Sequence, residues 1–575
     1  MGAALHRLTP SRGAPVALQL APYLAWTAFL VPVIAGVAGT LLPALGYLPA
    51  LGGASFSLQP WRELMATPGL SRSIVVTLLV GNVATAVSFA LAIGSCACLH
   101  RRRAAIRVAQ GLGPILATPH SALALGLAFA ITPSGWLVRW ASPWLTGWSQ
   151  PPDVAIVGDP LGIAMIAALV LKETPYLVLM TLAALNQVPA REHVIVARSM
   201  GYGRIDAWIK AVFPLVYPQL RLPLYTVLAF SLSVVDVALI VGPTEPPPLS
   251  VMALRGLADP QLRGWFGGAA AACLLLAIVV ACIAGWRTVE FFAARLGRAW
   301  IARGARTTFV TPACVGALGA SACGAVGAFV ALAGMIVWSF AAQWRFPDAL
   351  PARWTLDNWR RLGGDIAQLA GASASIAVAA SVIALALTVA CLEYEDRRPM
   401  RGPARYVAVL YLPLIVPQIA FLFGSQVLLV ATGLDGSAIA VVWAHLIFVL
   451  PYVFLSLVRP WRALDPRYAR AAASLGATPS RILWRIKVPL MLAPILMAFA
   501  VGFAVSVAQY LPTLFAGNGR VATLTTTAVS FAATGDRRII GAYAALQALL
   551  PCAVYALAVL VPLRRQRIGA AFAWL

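Results

Sequence analysis

Lysine is nearly missing from this sequence, and the three that occur are in the wrong company for nucleotide chemistry. Lys172, Lys210 and Lys487 follow Leu171, Ile209 and Ile486, whereas a phosphate-cradling Walker A loop needs Gly before its Lys and Ser or Thr after it. The chain is therefore expected to draw on no ATP-binding loop of its own. The eight cysteines (Cys96, Cys98, Cys273, Cys282, Cys314, Cys323, Cys391, Cys552) lie in or beside apolar stretches without paired CxxC spacing, and the five histidines are scattered. Neither residue type supports a metal centre, and the cysteines read as small packing residues. With no HExxH or GxSxG constellation, the sequence offers no catalytic group, no cofactor site and no metal site. Charge is scarce too: 11% of residues are charged, and acidic residues number 19 against 43 basic ones.

What is abundant is apolar surface. Of 575 residues 61% are hydrophobic, with a mean hydropathy of +0.84, which excludes an ordinary soluble globular protein. The apolar residues gather into twelve blocks, at roughly 22–45, 73–98, 109–131, 160–186, 222–242, 267–285, 311–341, 371–392, 407–430, 437–458, 491–515 and 540–563. Each approaches the roughly 20 helical residues that a bilayer core requires. The expected fold is an all-α polytopic membrane protein of about twelve transmembrane helices. The first block is long enough to span and is expected to be retained as a membrane helix.

A net charge of +24 would point to nucleic acid in a soluble protein, but the basic residues sit between the apolar blocks. The segments on the side of the two termini hold 30 of the 43 and the opposite side 12, with Lys172 inside a block. The positive-inside rule then places both termini in the cytoplasm. The run His100, Arg101, Arg102, Arg103 is read as part of this topology signal, and no nucleic-acid partner is expected.

The two halves repeat. Phe56-Ser57-Leu58, two residues, then Trp61-Arg62 recurs as Trp354-Thr355-Leu356, two residues, then Trp359-Arg360, each after the first block of its half. Further on, Ala197, Ser199, Gly201, Pro214 and Leu215 match Ala472, Ser474, Gly476, Pro489 and Leu490 at a constant spacing of 275, and Leu249 and Ala253 match Leu524 and Ala528 in the same register. Two homologous six-helix units in one orientation follow: 1–290 and 311–575. Between them, 291–310 is an Arg-rich cytoplasmic linker, read either as a membrane-surface helix or as a solvated connector.

The polar segment between the fourth and fifth blocks of each half has a legible local pattern. A short helix closes on a Gly able to take a left-handed cap, and a second helix leads to Pro at the membrane edge. Ala197 with Gly201, and Ala472 with Gly476, give faces with little side chain that permit close docking. Met200 and Leu475 add one apolar knob each, and arginines such as Arg198 sit at the rim.

These residues resemble the EAA loop of ABC importer permeases, in which two alanines, a Gly four residues beyond the second and a Pro thirteen residues further on are characteristic. The second loop, with Ala471, Ala472, Ser474, Leu475, Gly476 and Pro489, is nearer the pattern than the first, with Ala197, Arg198, Ser199, Met200, Gly201 and Pro214. The glutamate that names the motif is replaced by Ile195 and Arg470, and the first Ala of the first loop is Val196. The resemblance covers nearly the whole chain and is closest to fused, ferric-iron or thiamine-type double permeases of type I importers. It implies that each loop is a coupling helix seated on an ATPase subunit, two copies in all. It also implies a periplasmic or extracellular solute-binding protein as partner and a place in the bacterial inner membrane.

Charged groups inside spans are functional candidates by default. Lys172 and Glu173, followed by Pro175, point about 100° apart on a helix and either line a path or snorkel and pair within the bundle. Asp236 corresponds approximately to Gln509, and both either flank a central path or bond between helices. The Pro-rich loop at 243–248 and the turn Asn518-Gly519-Arg520 suit binding-protein docking or ordinary connections. The competing class is an ion-gradient-driven transporter of the twelve-helix type, in which intramembrane carboxylates carry the coupling; it leaves the two Ala, Gly, Pro loops unexplained.

Overall fold

The computed structural model describes residues 16–572 apart from 50–51, 100–101, 262, 305, 307–309, 398–408 and 533–534. His100 and Arg101 of the basic run, and residues 407–408 of the ninth apolar block, thus lie outside the described residues. The rest is helical except for short extended pieces, as the apolar blocks require: in lipid every backbone N–H and C=O must be paired within the segment.

In the N-terminal half the main helices are α1 (Val16–Ala44), α2 (Leu70–Cys98), α3 (Arg102–Ala117), α4 (His120–Ile131), α5 (Ile163–Leu185), α6 (Ala190–Ser199), α7 (Phe213–Ser233), α8 (Asp236–Val241), α9 (Leu249–Leu257) and α10 (Gly264–Ala302). The C-terminal half continues with α11 (Val310–Ser339), α12 (Gly363–Asp396), α13 (Gln418–Ala431), α14 (Ala438–Arg462), α15 (Pro466–Ser474), α16 (Leu492–Val507), α17 (Leu511–Gly517), α18 (Leu524–Phe531) and α19 (Arg537–Phe572). Among the described residues nine helices are long and apolar enough to cross a membrane, and a pair bent by 76°, Pro479–Leu490 with Leu492–Val507, makes ten.

Twelve uninterrupted helices would need two more, and the reason they are not counted is local. The block at 222–242 falls on α7 and α8, interrupted at Val234 and Val235, and the block at 407–430 falls on α13, preceded by a break at Val416 and Pro417. The block at 109–131 is likewise split between α3 and α4 at Thr118 and Pro119. Proline removes an amide donor and disfavours helix in the residue before it, so Pro119 and Pro417 each end one helix and open the next. The segment after 285 is helix: α10 runs unbroken to Ala302.

The first helix of each half crosses onto the other half. α1 packs chiefly on α13 and also on α12, while α11 packs on α2 and α4. The approach is backbone to backbone: a Cβ on Gly424 would lie 2.0 Å from the Gly36 carbonyl oxygen, and one on Gly126 would lie 2.7 Å from that of Ala331. Small residues at such crossings let van der Waals packing substitute for the hydrophobic effect that lipid does not supply. Polar side chains add hydrogen bonds across the same seam, from Gly424 N to Thr40 Oγ1 (3.1 Å) and from Ser95 Oγ to Ser321 Oγ (2.9 Å).

Each first helix is followed by a tight extended turn. It is a single bridge, Leu48 with Gly53, in the N-terminal half and an antiparallel pair, β1 (Ala341–Gln343) with β2 (Arg353–Trp354), in the C-terminal half. The Trp-Arg signature comes next in both, on the short helices Gln59–Ala66 and Asp357–Arg361.

Candidate functional site

The two polar loops fold alike, for a reason written in their spacing. At the end of α6 the amide of Tyr202 donates to the Ala197 carbonyl (3.4 Å) and that of Gly201 to Arg198 (2.9 Å); at the end of α15 Ala477 donates to Ala472 (3.0 Å) and Gly476 to Ala473 (3.0 Å). These paired bonds form a Schellman cap, whose left-handed residue stands four places after the residue with the accepting carbonyl. Gly201 and Gly476 occupy it with φ of +85° and +79°, where any Cβ is strained. The Ala-to-Gly interval of four thus follows from the cap, and the alanines keep its surface flat.

The parallel continues. The turn Arg204–Ala207 and the π-helical turn Trp208–Val212 are matched 275 residues on by Pro479–Ile482 and Leu483–Lys487. Pro214 and Pro489 then open α7 and the short Val488–Leu490 helix. Met200 is 60% exposed and Leu475 87%, so both expected knobs project into open space.

The loops differ in what braces them. Beside the second, the Lys487 ammonium lies between Glu393 (2.7 Å) and Asp396 (2.8 Å), Arg397 binds Glu393 (2.8 Å), and Trp461 Nε1 donates to Asp396 (3.0 Å). This cluster, with Lys487 and Glu393 buried and Asp396 at its open edge, ties the π turn to the ends of α12 and α14. Beside the first, Lys210 sits over the rings of Trp300 (4.1 Å) and Tyr202 (4.7 Å), and Arg306 donates to the Met200 carbonyl (2.9 Å). Trp300 and Arg306 belong to the segment between the halves, so that segment leans on the first loop.

The intramembrane candidates separate. Lys172 turns away from Glu173 and places its ammonium on the carbonyl oxygens of Ile115 (2.8 Å), Leu116 (2.9 Å) and Thr118 at the C-terminus of α3. A cation there complements unpaired carbonyls and the negative end of the helix dipole. Glu173 instead accepts from His120 Nε2 at 3.0 Å, and the His120 ring rests 4.5 Å from that of Phe230. Asp236 is the first residue of α8, just after the break, within electrostatic reach of His120. Gln509 lies in the corresponding break between α16 and α17, but two residues before the next helix begins, so its register with Asp236 is offset.

Two histidines that the sequence reading left as scattered prove to be placed. His120 joins two broken helices to α5, and its signal was Pro119 immediately before it. His445 is buried, with its ring nitrogens 2.8 Å from Ser506 Oγ and 2.8 Å from Thr513 Oγ1, holding α14, α16 and α17 together. Around the breaks the side chains of His120, Phe230, Tyr176, Tyr452, Tyr510 and Asp236 are neither fully covered nor on the outer surface set.

On the opposite face, the Pro-rich loop borders a groove of about 480 Å³ formed with Pro68, Gly69, Met252 and Arg255. The turn at 518–520 is held by Asn518 and Arg520 on Asp435, at 3.1 and 3.8 Å.

No family model matches the chain. Among curated proteins it is 32% identical over 533 residues to the inner membrane ABC transporter permease protein YnjC of Escherichia coli (strain K12), covering 92% of this chain and 95% of the relative. Over 133 residues, about half the relative's length at 49%, it is 32% identical to the molybdenum transport system permease protein ModB of Mycobacterium tuberculosis (strain ATCC 25618 / H37Rv). Over 165 residues it is 25% identical to the spermidine/putrescine transport system permease protein PotC of Haemophilus influenzae, covering 29% of this chain and 64% of the relative. The near end-to-end match takes precedence over the gradient-driven alternative, and the chain belongs to the ABC transporter permeases, the membrane component of an ATP-driven transporter.

Proposed function

We propose that the chain is a fused double permease of a type I importer in a bacterial inner membrane. Its units are residues 1–290 and 311–575, joined by 291–310, with both termini cytoplasmic. Residues 190–201 and 466–476 are its coupling helices, each seated in a groove of one of two ATPase subunits. Closure of the ATPase dimer drives the two halves between inward- and outward-facing states, and a solute-binding protein delivers to the opposite face. The solute path runs along the helix breaks, lined by Glu173, Asp236 and Gln509 with His120, while Lys172 positions α3 against α5. The fused arrangement is like that of ferric-iron or thiamine importers.

The observation that carries this reading is the twice-built loop: the same Schellman cap, π turn and proline, 275 residues apart. The test is co-purification of the solubilised chain with its ATPase, comparing wild type with Gly201→Asp/Gly476→Asp. The double variant is expected to insert normally and to lose the ATPase and solute-dependent ATP turnover. Retention of both would overturn the coupling assignment.

A further inference from the structure

The docking face is cationic where the motif it resembles is acidic. On α15, Arg467 and Arg470 lie three residues apart and share one helix face. Arg481 and Arg485 follow on the next turn, and all four are exposed. Arg470 occupies the position of the motif glutamate and has neither hydrogen bond nor ion pair among the described residues. The nearby carboxylates offset Arg467 alone among these four and leave Arg470, Arg481 and Arg485 uncompensated. Asp465 caps α15 and pairs with Arg467 at 3.1 Å, while Glu393 and Asp396 are taken by Lys487 and Glu395 by Arg462. The first loop repeats the sign with exposed Arg191, Arg198 and Arg204, and with Arg306 over its cap; Glu192 is its one exposed acid.

The apolar content of the face is narrow. Leu475 stands 87% exposed beside Ala471, Ala473, Ser474 and Gly476, a flat surface with one knob and a guanidinium rim. A helix that lies in a membrane surface needs a broad apolar face, which α15 lacks. A protein groove that takes one side chain and surrounds it with acceptors fits better, since guanidinium groups bind carboxylates in a planar two-point geometry.

Resting on the coupling-helix reading, we propose that the ATPase grooves receiving these loops are lined with Asp and Glu. Recognition is then polarity-reversed relative to permeases whose loop bears the glutamate, and Arg470 is the main discriminating residue. The arrangement restricts this permease to an ATPase of matching charge, because like charges face each other in any other pairing.

The test uses the full-length permease in nanodiscs and the ATPase that co-purifies with it, identified by mass spectrometry and purified separately. Binding of that ATPase is measured between low and high NaCl for wild type, Arg470→Ala, Arg470→Glu and Gly476→Asp. Wild-type affinity is expected to fall on the order of tenfold as salt screens the pairs. Arg470→Glu should bind more weakly than Arg470→Ala, and an Asp or Glu to Arg change in the ATPase groove should restore it. Salt-independent binding, or Arg470→Glu binding as wild type, overturns the acidic groove; Gly476→Asp binding as wild type in addition overturns the coupling reading beneath it.

Discussion

The two halves repeat several local backbone features and divide their charges differently. Breaks occur at equivalent places, after Thr118 and Pro119 and after Val416 and Pro417, and again before Asp236 and before Leu511. The short helices α9 and α18 are hung from hydroxyls in the same way, Leu249 N on Thr77 Oγ1 and Leu524 N on Ser373 Oγ, each at 2.9 Å. Yet the N-terminal breaks carry His120, bonded to Glu173 of α5, and Asp236, whereas the C-terminal ones carry Gln418, Gln509 and Tyr510. If Pro175-Tyr176 is aligned with Pro451-Tyr452, Glu173 faces Val449. At the loop end the division reverses: the ion cluster centred on buried Lys487 and Glu393 braces the C-terminal half. Backbone geometry fixed by Gly and Pro persists because little else fits, while charges are free to diverge wherever a new partner satisfies them. Under the proposed function, ionic contact with the solute lies mainly with the N-terminal half and the stiffer transmission element with the C-terminal half.

The sharpest way to break this comparison is at the braces. Lys487 bridges Glu393 and Asp396; without it the buried Glu393 keeps only Arg397, and the more exposed Asp396 keeps Trp461, so Lys487→Met should cost about 2 kcal/mol. In the other half Glu290 is held at once by Arg221 (3.0 Å), Arg287 (2.8 Å) and Tyr225 (2.8 Å). With that redundancy, and Arg221 partly solvated, Arg221→Met should cost only about 1 kcal/mol. Thermal unfolding of the two variants in one detergent checks the ranking, and equal losses would mean that the two ion clusters hold their halves equally.

A smaller contrast concerns the breaks themselves. In a background with the eight native cysteines replaced, Asp236→Cys and Tyr510→Cys should react with a membrane-impermeant thiol reagent on the order of tenfold faster than Val382→Cys, because only a hydrated thiol ionises and reacts. Val382 is 50% exposed on a membrane helix, so accessible area alone predicts the opposite order. Labelling of Val382→Cys alone would place water on the outside of the bundle and remove the path from the breaks.

The sequence made the frame readable and left the partners hidden, and particular residues show why. Apolar blocks, Ala-to-Gly intervals and prolines are local, and they located both caps and most helices. The π turns carry no residue signature of their own. The Lys487 to Glu393 contact joins positions 94 residues apart, so nothing in either neighbourhood announces it. Lys172 and Glu173 are the instructive pair: adjacency on a helix already set them about 100° apart, but nothing near them in the sequence announced that one reaches the carbonyls of α3 and the other His120. Alignment of Asp236 with Gln509 spaced the two 273 residues apart, whereas the helices after the breaks begin 275 apart, at Asp236 and Leu511, because the second break is one residue longer; Leu511 therefore takes the place of Asp236 and Gln509 falls two residues short of it.

The finest test compares the caps, where the loops differ by a single neighbour. A Cβ at Gly201 would meet the Arg306 guanidinium at 3.0–3.2 Å, whereas a Cβ at Gly476 would meet nothing within 4 Å. Both Gly→Ala changes force a left-handed alanine and should cost about 1 kcal/mol, read as about fivefold lower hydrogen-exchange protection of the Tyr202 and Ala477 amides. Arg306 is exposed and can swing aside, so the extra cost at Gly201 should not exceed about 0.5 kcal/mol, and Arg306→Ala should erase it. A Gly201→Ala penalty far above that of Gly476→Ala, persisting without Arg306, would show that the first cap is constrained by something other than the segment between the halves, and the contrast drawn between the two loops would have to be rebuilt around that constraint.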